Sequence, residues 1–129
     1  MELDEAIKER HSVRRFKSKA PDYAPILEAL DAAIKVPYAG NINTIRFILV
    51  SDREKIVQLA EAAAQDFLAT AHYIVVFCSH SENCVRAYGD RGEIYSIQQA
   101  GASIQNFLLK ITELGLSTCW VGAFSDTTL

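Results

Sequence analysis

The chain has 129 residues, half of them hydrophobic and 22% charged, which suits one packed domain and excludes a disordered chain. Thirteen basic against sixteen acidic side chains leave a net charge of -3, so a general nucleic-acid surface is excluded and the basic residues must act locally. No apolar run approaches membrane-spanning length, and the start Met1-Glu2-Leu3-Asp4-Glu5 is too acidic for a signal peptide. Cys78, Cys84 and Cys119 are an odd number without a C-x-x-C pair, as expected of free thiols in a reducing compartment. A cytoplasmic protein with neither a membrane nor a nucleic-acid partner is therefore expected.

In chain order, residues 2 to 10 are expected to form a short helix with Leu3, Ala6 and Ile7 on one side. Directly after it come three arginines, a histidine and a hydroxyl in Arg10-His11-Ser12-Val13-Arg14-Arg15-Phe16. Arginine forks and a serine hydroxyl pair well with phosphate oxygens; the alternative for such a run is a solvated basic loop. The spacing of Leu27, Leu30, Ala33 and Ile34 predicts a second helix over Asp22 to Val36, with Pro25 in its first turn and Pro37 ending it. A polar turn beginning at Pro37 then enters a strand at Arg46 to Ser51.

A third helix is expected to carry Ile56, Leu59, Ala60, Ala63, Phe67 and Leu68 on one face, capped by Asp52. His72 to Cys78 has the continuous apolar pattern of a strand covered on both faces. The cluster Cys78, His80 and Cys84 contains zinc-ligand types, but structural zinc takes four ligands and a fourth is not evident, so no metal is expected. The longest helix is expected from Arg91 to Leu114, where Ile94, Ile97, Gly101, Ile104, Leu108 and Ile111 recur at spacings of three and four. Its small residues Ala100 to Ser103 would let another backbone approach, as a domain core or a subunit interface requires. Gly115 then stops the helix, and a strand runs to a turn at Gly122. Helices alternating with strands imply an α/β (α+β) protein with a three-layer α-β-α arrangement.

Three segments in this order, R-H-S-x-R-x-F at the start, P-x-A-G-N-x-x-x-x-R-F in the middle, and the long helix running into G-L-x-T-C-W-x-G-A-F, resemble the nitroreductase family of FMN-dependent oxidoreductases. The resemblance covers nearly the whole chain and implies a single nitroreductase-like FMN-binding domain over 1–129, with the long central helix at a homodimer interface. It also implies hydride transfer from NAD(P)H through flavin N5 to a small-molecule oxidant such as a nitroaromatic or quinone, in a two-stage exchange. No separate catalytic side chain is then required.

By the same resemblance, Arg10 and Ser12 belong to the FMN phosphate and ribityl end, His11 adds a donor, and Arg14 lies near flavin N1 and O2. Asn41 and Asn43 are assigned to the flavin edge, Asn43 also being a candidate for a plain turn asparagine. Val121 and Gly122 match positions where the backbone meets N5. Gln99 stands where many relatives have aspartate and receives no role. Tyr38, Asn43, Thr44 and Ile45 depart from the family's frequent Ser, Gln, Pro and Trp, which bears on the substrate pocket. Relatives usually continue with a further helix, a strand and basic residues, so the C-terminal part of the family domain is expected to be absent. Other readings of the same sequence are a flavin-binding or subunit-association module without turnover, and a different FMN reaction on the same fold, reductive dehalogenation or flavin fragmentation.

Overall fold

Apolar periodicity and chain breakers produce five α-helices and two strands in the computed structural model, which describes residues 1–127. In chain order these are α1 (Leu3–Glu9), α2 (Ala24–Ala33), β1 (Ile45–Val50), α3 (Arg53–Ala63), β2 (Ile74–Ser79), α4 (Glu82–Tyr88) and α5 (Asp90–Glu113), with 3₁₀ turns at Ala39–Asn41 and Asp66–Thr70. Asp22 lies before α2 rather than in it, its carboxylate accepting the Ala24 N–H at 3.3 Å.

β1 and β2 pair antiparallel with Phe47 opposite Phe77. Strand residues alternate between faces, so Phe47, Leu49, Val75 and Phe77 share one face. That face packs on the core of Ile26, Ala29 and Ala33 from α2 with Phe107, Leu108 and Ile111 from α5. Phe77 stands edge-on to both Phe47, at 5.0 Å between ring centres, and Phe107, at 5.3 Å. The expectation of a second strand covered on both faces is corrected: Ile74 to Cys78 are all half-buried, and Ile48 on the far face of β1 is 54% exposed.

The third helix is shorter than its periodicity implies. Ala64 adopts a left-handed conformation at φ 52°, its N–H turning back to the Glu61 carbonyl at 3.0 Å while the Gln65 N–H reaches Ala60 at 3.2 Å. Phe67 and Leu68 therefore belong to the following 3₁₀ turn, where Leu68 is buried like Ile56 and Ala60. Asp52 precedes the helix without making a side-chain cap. On α1, only Ala6 is buried, while Leu3 and Ile7 face outward.

The largest correction concerns α5. Its inner face is lined by Gly92, Ser96, Gln99, Ser103, Phe107, Leu108 and Ile111, while Ile94 and Ile97 are 55% and 66% exposed. Burying a hydroxyl or an amide is tolerable only when it is hydrogen-bonded, and these are. Ser96 Oγ donates to the Gly92 carbonyl at 2.9 Å, and Ser103 Oγ to the Ala33 carbonyl at 2.7 Å. Gly92 sits so close to α4 that a Cβ there would lie 2.4 Å from the Cys84 carbonyl oxygen. Partners on other elements hold Gln99 and Ser103 on the inner face, and the isoleucines of the first half are left outside.

Candidate functional site

The first and last of the three segments meet. Helix α1 ends at Arg10, whose extended backbone (φ −60°, ψ 124°) sends the chain alongside the segment that follows α5. Ser12 bridges Thr118 in parallel sense, and the Val13 N–H donates to the Thr118 carbonyl at 2.8 Å. Gly115, at φ 81°, allows the reversal that brings this segment back, with the Leu116 N–H closing on Ile111 at 3.1 Å. A shallow groove between the two is lined by His11, Thr112, Leu116 and Thr118.

Arg10 is half-buried, while His11, Ser12 and Arg14 are exposed. Neither Arg10 nor Arg14 makes an ion pair among the described residues, so both guanidinium groups keep their donors for an external anion. His11 Nδ1 donates to the Glu9 carbonyl at 2.8 Å, which orients the ring and leaves Nε2 outward. Val121 is half-buried and Gly122 exposed, with open space where a Cβ would stand on Gly122. Ser125 anchors the end of this segment, its N–H donating to the Ala62 carbonyl of α3 at 2.8 Å.

Asn41 and Asn43 lie in a different place, on the turn before β1. Gly40 and Asn41 are both left-handed, at φ 57° and 58°, and Asn41 is one of few residue types that tolerate this. The Asn41 carboxamide makes no hydrogen bond among the described residues and is exposed. The Asn43 carboxamide oxygen accepts the Ile45 N–H at 2.9 Å, which starts the strand and leaves only its NH₂ for a ligand. Tyr38 donates to the Ile34 carbonyl at 2.7 Å, and burial raises its phenol above the ordinary range.

The residue that sequence reasoning passed over is Gln99. Its Oε1 accepts the Ala39 N–H at 2.7 Å, and its Nε2 donates to the Ile42 carbonyl at 3.2 Å and to Thr44 Oγ1 at 3.0 Å. A signal for it was present, since Ser96, Gln99 and Ser103 repeat at helical spacing as a polar stripe. Gln99 and Thr112 are about 20 Å apart along α5 at 1.5 Å per residue. One copy thus keeps the arginine segment at one end of α5 and the Asn41 turn beside the other half.

Cys78, His80 and Cys84 are not gathered for a metal. Cys84 is buried, the exposed His80 ring faces Glu82 at 3.4 Å, and no group of three or more metal-ligand side chains occurs among the described residues. All three cysteines are free thiols, and no described helix is long and apolar enough to cross a membrane.

The sequence profile of the nitroreductase family matches residues 7–81 and 61–128. The chain is 40% identical over 80 residues to the protein named nitroreductase MJ1384 of Methanocaldococcus jannaschii, covering 61% of this chain and 40% of that one. It is 28% identical over 116 residues to an Archaeoglobus fulgidus protein named as an NADH dehydrogenase/NAD(P)H nitroreductase, covering 89% of this chain and 64% of that one. The chain thus spans less than two thirds of these curated relatives. Among solved structures, a nitroreductase family protein of Clostridium novyi NT superposes with a TM-score of 0.89 at 26% identity, covering 99% of this chain and 73% of that one.

Proposed function

The chain belongs to the nitroreductase family, and from that membership we propose that it is an FMN-dependent oxidoreductase that takes hydride from NAD(P)H and passes it to a small oxidant such as a nitroaromatic or quinone. FMN when bound supplies the redox chemistry, hydride arriving and leaving at N5 while the two substrates take turns at one face. The observation that carries the reading is the Ser12–Thr118 bridge, which sets the arginine segment against the segment leading to Val121 and Gly122.

Arg10, Ser12 Oγ and the outward His11 Nε2 hold the phosphate and ribityl end, and the fit rests on guanidinium groups that no carboxylate already occupies. Arg14 stabilises negative charge at the N1 and O2 edge. Asn41, with the free NH₂ of Asn43, reads the pyrimidine edge, where an amide matches alternating donors and acceptors. The backbone at Val121 and Gly122 would approach the flavin at N5 with FMN bound, approach being open at the glycine.

Because a single copy keeps the arginine segment and the Asn41 turn beside stretches of α5 about 20 Å apart along its axis, the reading assigns each site to two copies. Antiparallel pairing of two α5 helices sets the N-terminal half of one against the C-terminal half of the other. The exposed Ile94 and Ile97 and the open Gly101 supply an apolar contact for such a homodimer. The reading also places the protein, with its free thiols, in the cytoplasm.

The test is made on purified protein. Bound FMN that bleaches anaerobically with NADH or NADPH and recolours with a quinone or nitroaromatic supports the reading. Yellow protein inert to both nucleotides makes it a binding or association module, and protein that does not take up FMN removes the flavin reading altogether. Recolouring only with a halogenated aromatic, or breakdown of the flavin itself, selects the alternative reactions.

A further inference from the structure

We propose that Gln99 is the positioning residue of the flavin site, holding the left-handed Gly40–Asn41 turn in the shape that presents the Asn41 carboxamide; this rests on the flavin reading above. The turn closes two backbone bonds of its own, from the Asn41 N–H to the Tyr38 carbonyl at 3.1 Å and from the Ile42 N–H to the Ala39 carbonyl at 3.0 Å, and still carries a strained residue. Asn41 at φ 58° is in a region that non-glycine residues enter at an energetic cost, and such a conformation persists only where the surroundings over-determine it. Two neighbours do so. The Tyr88 phenol fills the space beside Gly40, where a Cβ would lie 2.5 Å from its oxygen, and Tyr88 is itself braced edge-on by Tyr95 at 5.3 Å.

Gln99 supplies the other constraint, gripping the turn on both sides of Asn41. It accepts from Ala39 two residues before, and donates to Ile42 one residue after and to Thr44 beyond. Only 5% of Gln99 is exposed, so these bonds form away from competing water. The pattern also dictates a neutral amide. A flipped group would set Nε2 against the Ala39 N–H, and a carboxylate would set an oxygen against the Ile42 carbonyl with no proton to offer. Gln99 touches neither FMN nor substrate in this account, and acts only through Asn41.

Two independent readouts test it. In ligand-free protein, Gln99→Met, which removes the acceptor for the Ala39 N–H as well as the donors to Ile42 and Thr44 at similar side-chain length, is expected to speed hydrogen exchange of the Ala39 N–H while core amides such as Phe107 stay protected. In FMN titration, Gln99→Glu weakens binding about tenfold or more, the scale of one or two lost hydrogen bonds. In an Asn41→Ala background the same substitution adds less than about twofold, because the two residues act in series. Thr44→Val, which removes one acceptor and keeps the shape, gives a smaller loss with the same non-additivity and serves if Gln99→Glu does not fold. Additive losses, or equal FMN binding by wild type, Gln99→Glu and Thr44→Val, overturn the role of Gln99 alone. Failure of the wild type to bind FMN overturns the flavin reading, and this role with it, even if the Ala39 exchange behaves as expected.

Discussion

The Val13 N–H donates to the Thr118 carbonyl at 2.8 Å, and this one bond joins the two ends of the chain. It fixes the direction in which Arg10 and Arg14 leave α1 relative to Val121 and Gly122. Among the described residues neither segment has another regular partner strand, so the geometry proposed for the flavin phosphate and N5 depends on this junction.

Arg10→Ala is expected to weaken FMN binding by roughly 1.5–3 kcal/mol, the range for a hydrogen bond to a charged group. Titration of apoprotein with FMN measures it. Unchanged affinity would mean that the half-buried Arg10 guanidinium serves only the surface of α1.

Arg14→Gln is expected to lower the flavin midpoint potential while FMN stays bound, because the lost cation stabilises the reduced, negatively charged form more than the oxidised one. A redox titration of variant and wild type decides. Equal potentials would remove Arg14 from the chemistry.

Two glycines of α5 should respond oppositely to alanine. Gly92→Ala puts a Cβ 2.4 Å from the Cys84 carbonyl oxygen, forces α4 from α5, and is expected to destabilise by about 1–3 kcal/mol. Gly101→Ala meets nothing within 4 Å and should stabilise the isolated subunit by up to about 1 kcal/mol through helix propensity. Denaturant midpoints of the two variants check the contrast. Similar losses at both sites would contradict the packing described for α4 and α5.

Gly101→Leu carries the assembly prediction. A Cβ at this position meets nothing within 4 Å in the single chain, so the penalty is expected from contact with a second copy. The variant is expected to remain folded, to lose dimer, and to release FMN with it. Sedimentation followed at the flavin absorbance reads both losses together; a variant that stays dimeric and yellow, or a wild type that binds FMN tightly as a monomer, defeats the two-copy site.

Much of this was legible in the residues. Apolar spacing located all four expected helices and the first two of three expected strands to within a few positions, because burial of one helix face or one strand face leaves a period in the sequence; the third expected strand, after Gly115, forms only an isolated bridge at Thr118. The family likewise followed from local motifs in order. Helix α4, by contrast, was not anticipated: Cys84 alone of its side chains is buried, too little for a period. The end of α3 was hidden too, because alanine at position 64 carries no mark of the left-handed conformation it adopts.

The first half of the inner face of α5 was decided by tertiary structure, while Leu108 and Ile111 in the second half follow the expected period. Periodicity pointed to Ile94 and Ile97, yet Ser96, Gln99 and Ser103 are inside: Ser96 bonds the Gly92 carbonyl one turn back, while the partners that satisfy Gln99 and Ser103 belong to Ala33, Ala39, Ile42 and Thr44, more than fifty residues away in sequence. A hydrophobic pattern records which residues avoid water, but not which polar groups will find partners when the chain folds. The sequence by itself therefore determined four of the five described helices, the two paired strands and the family of this protein. Hydrogen bonds between elements far apart in the chain decided which way its longest helix faces, and so which residue holds the Asn41 turn.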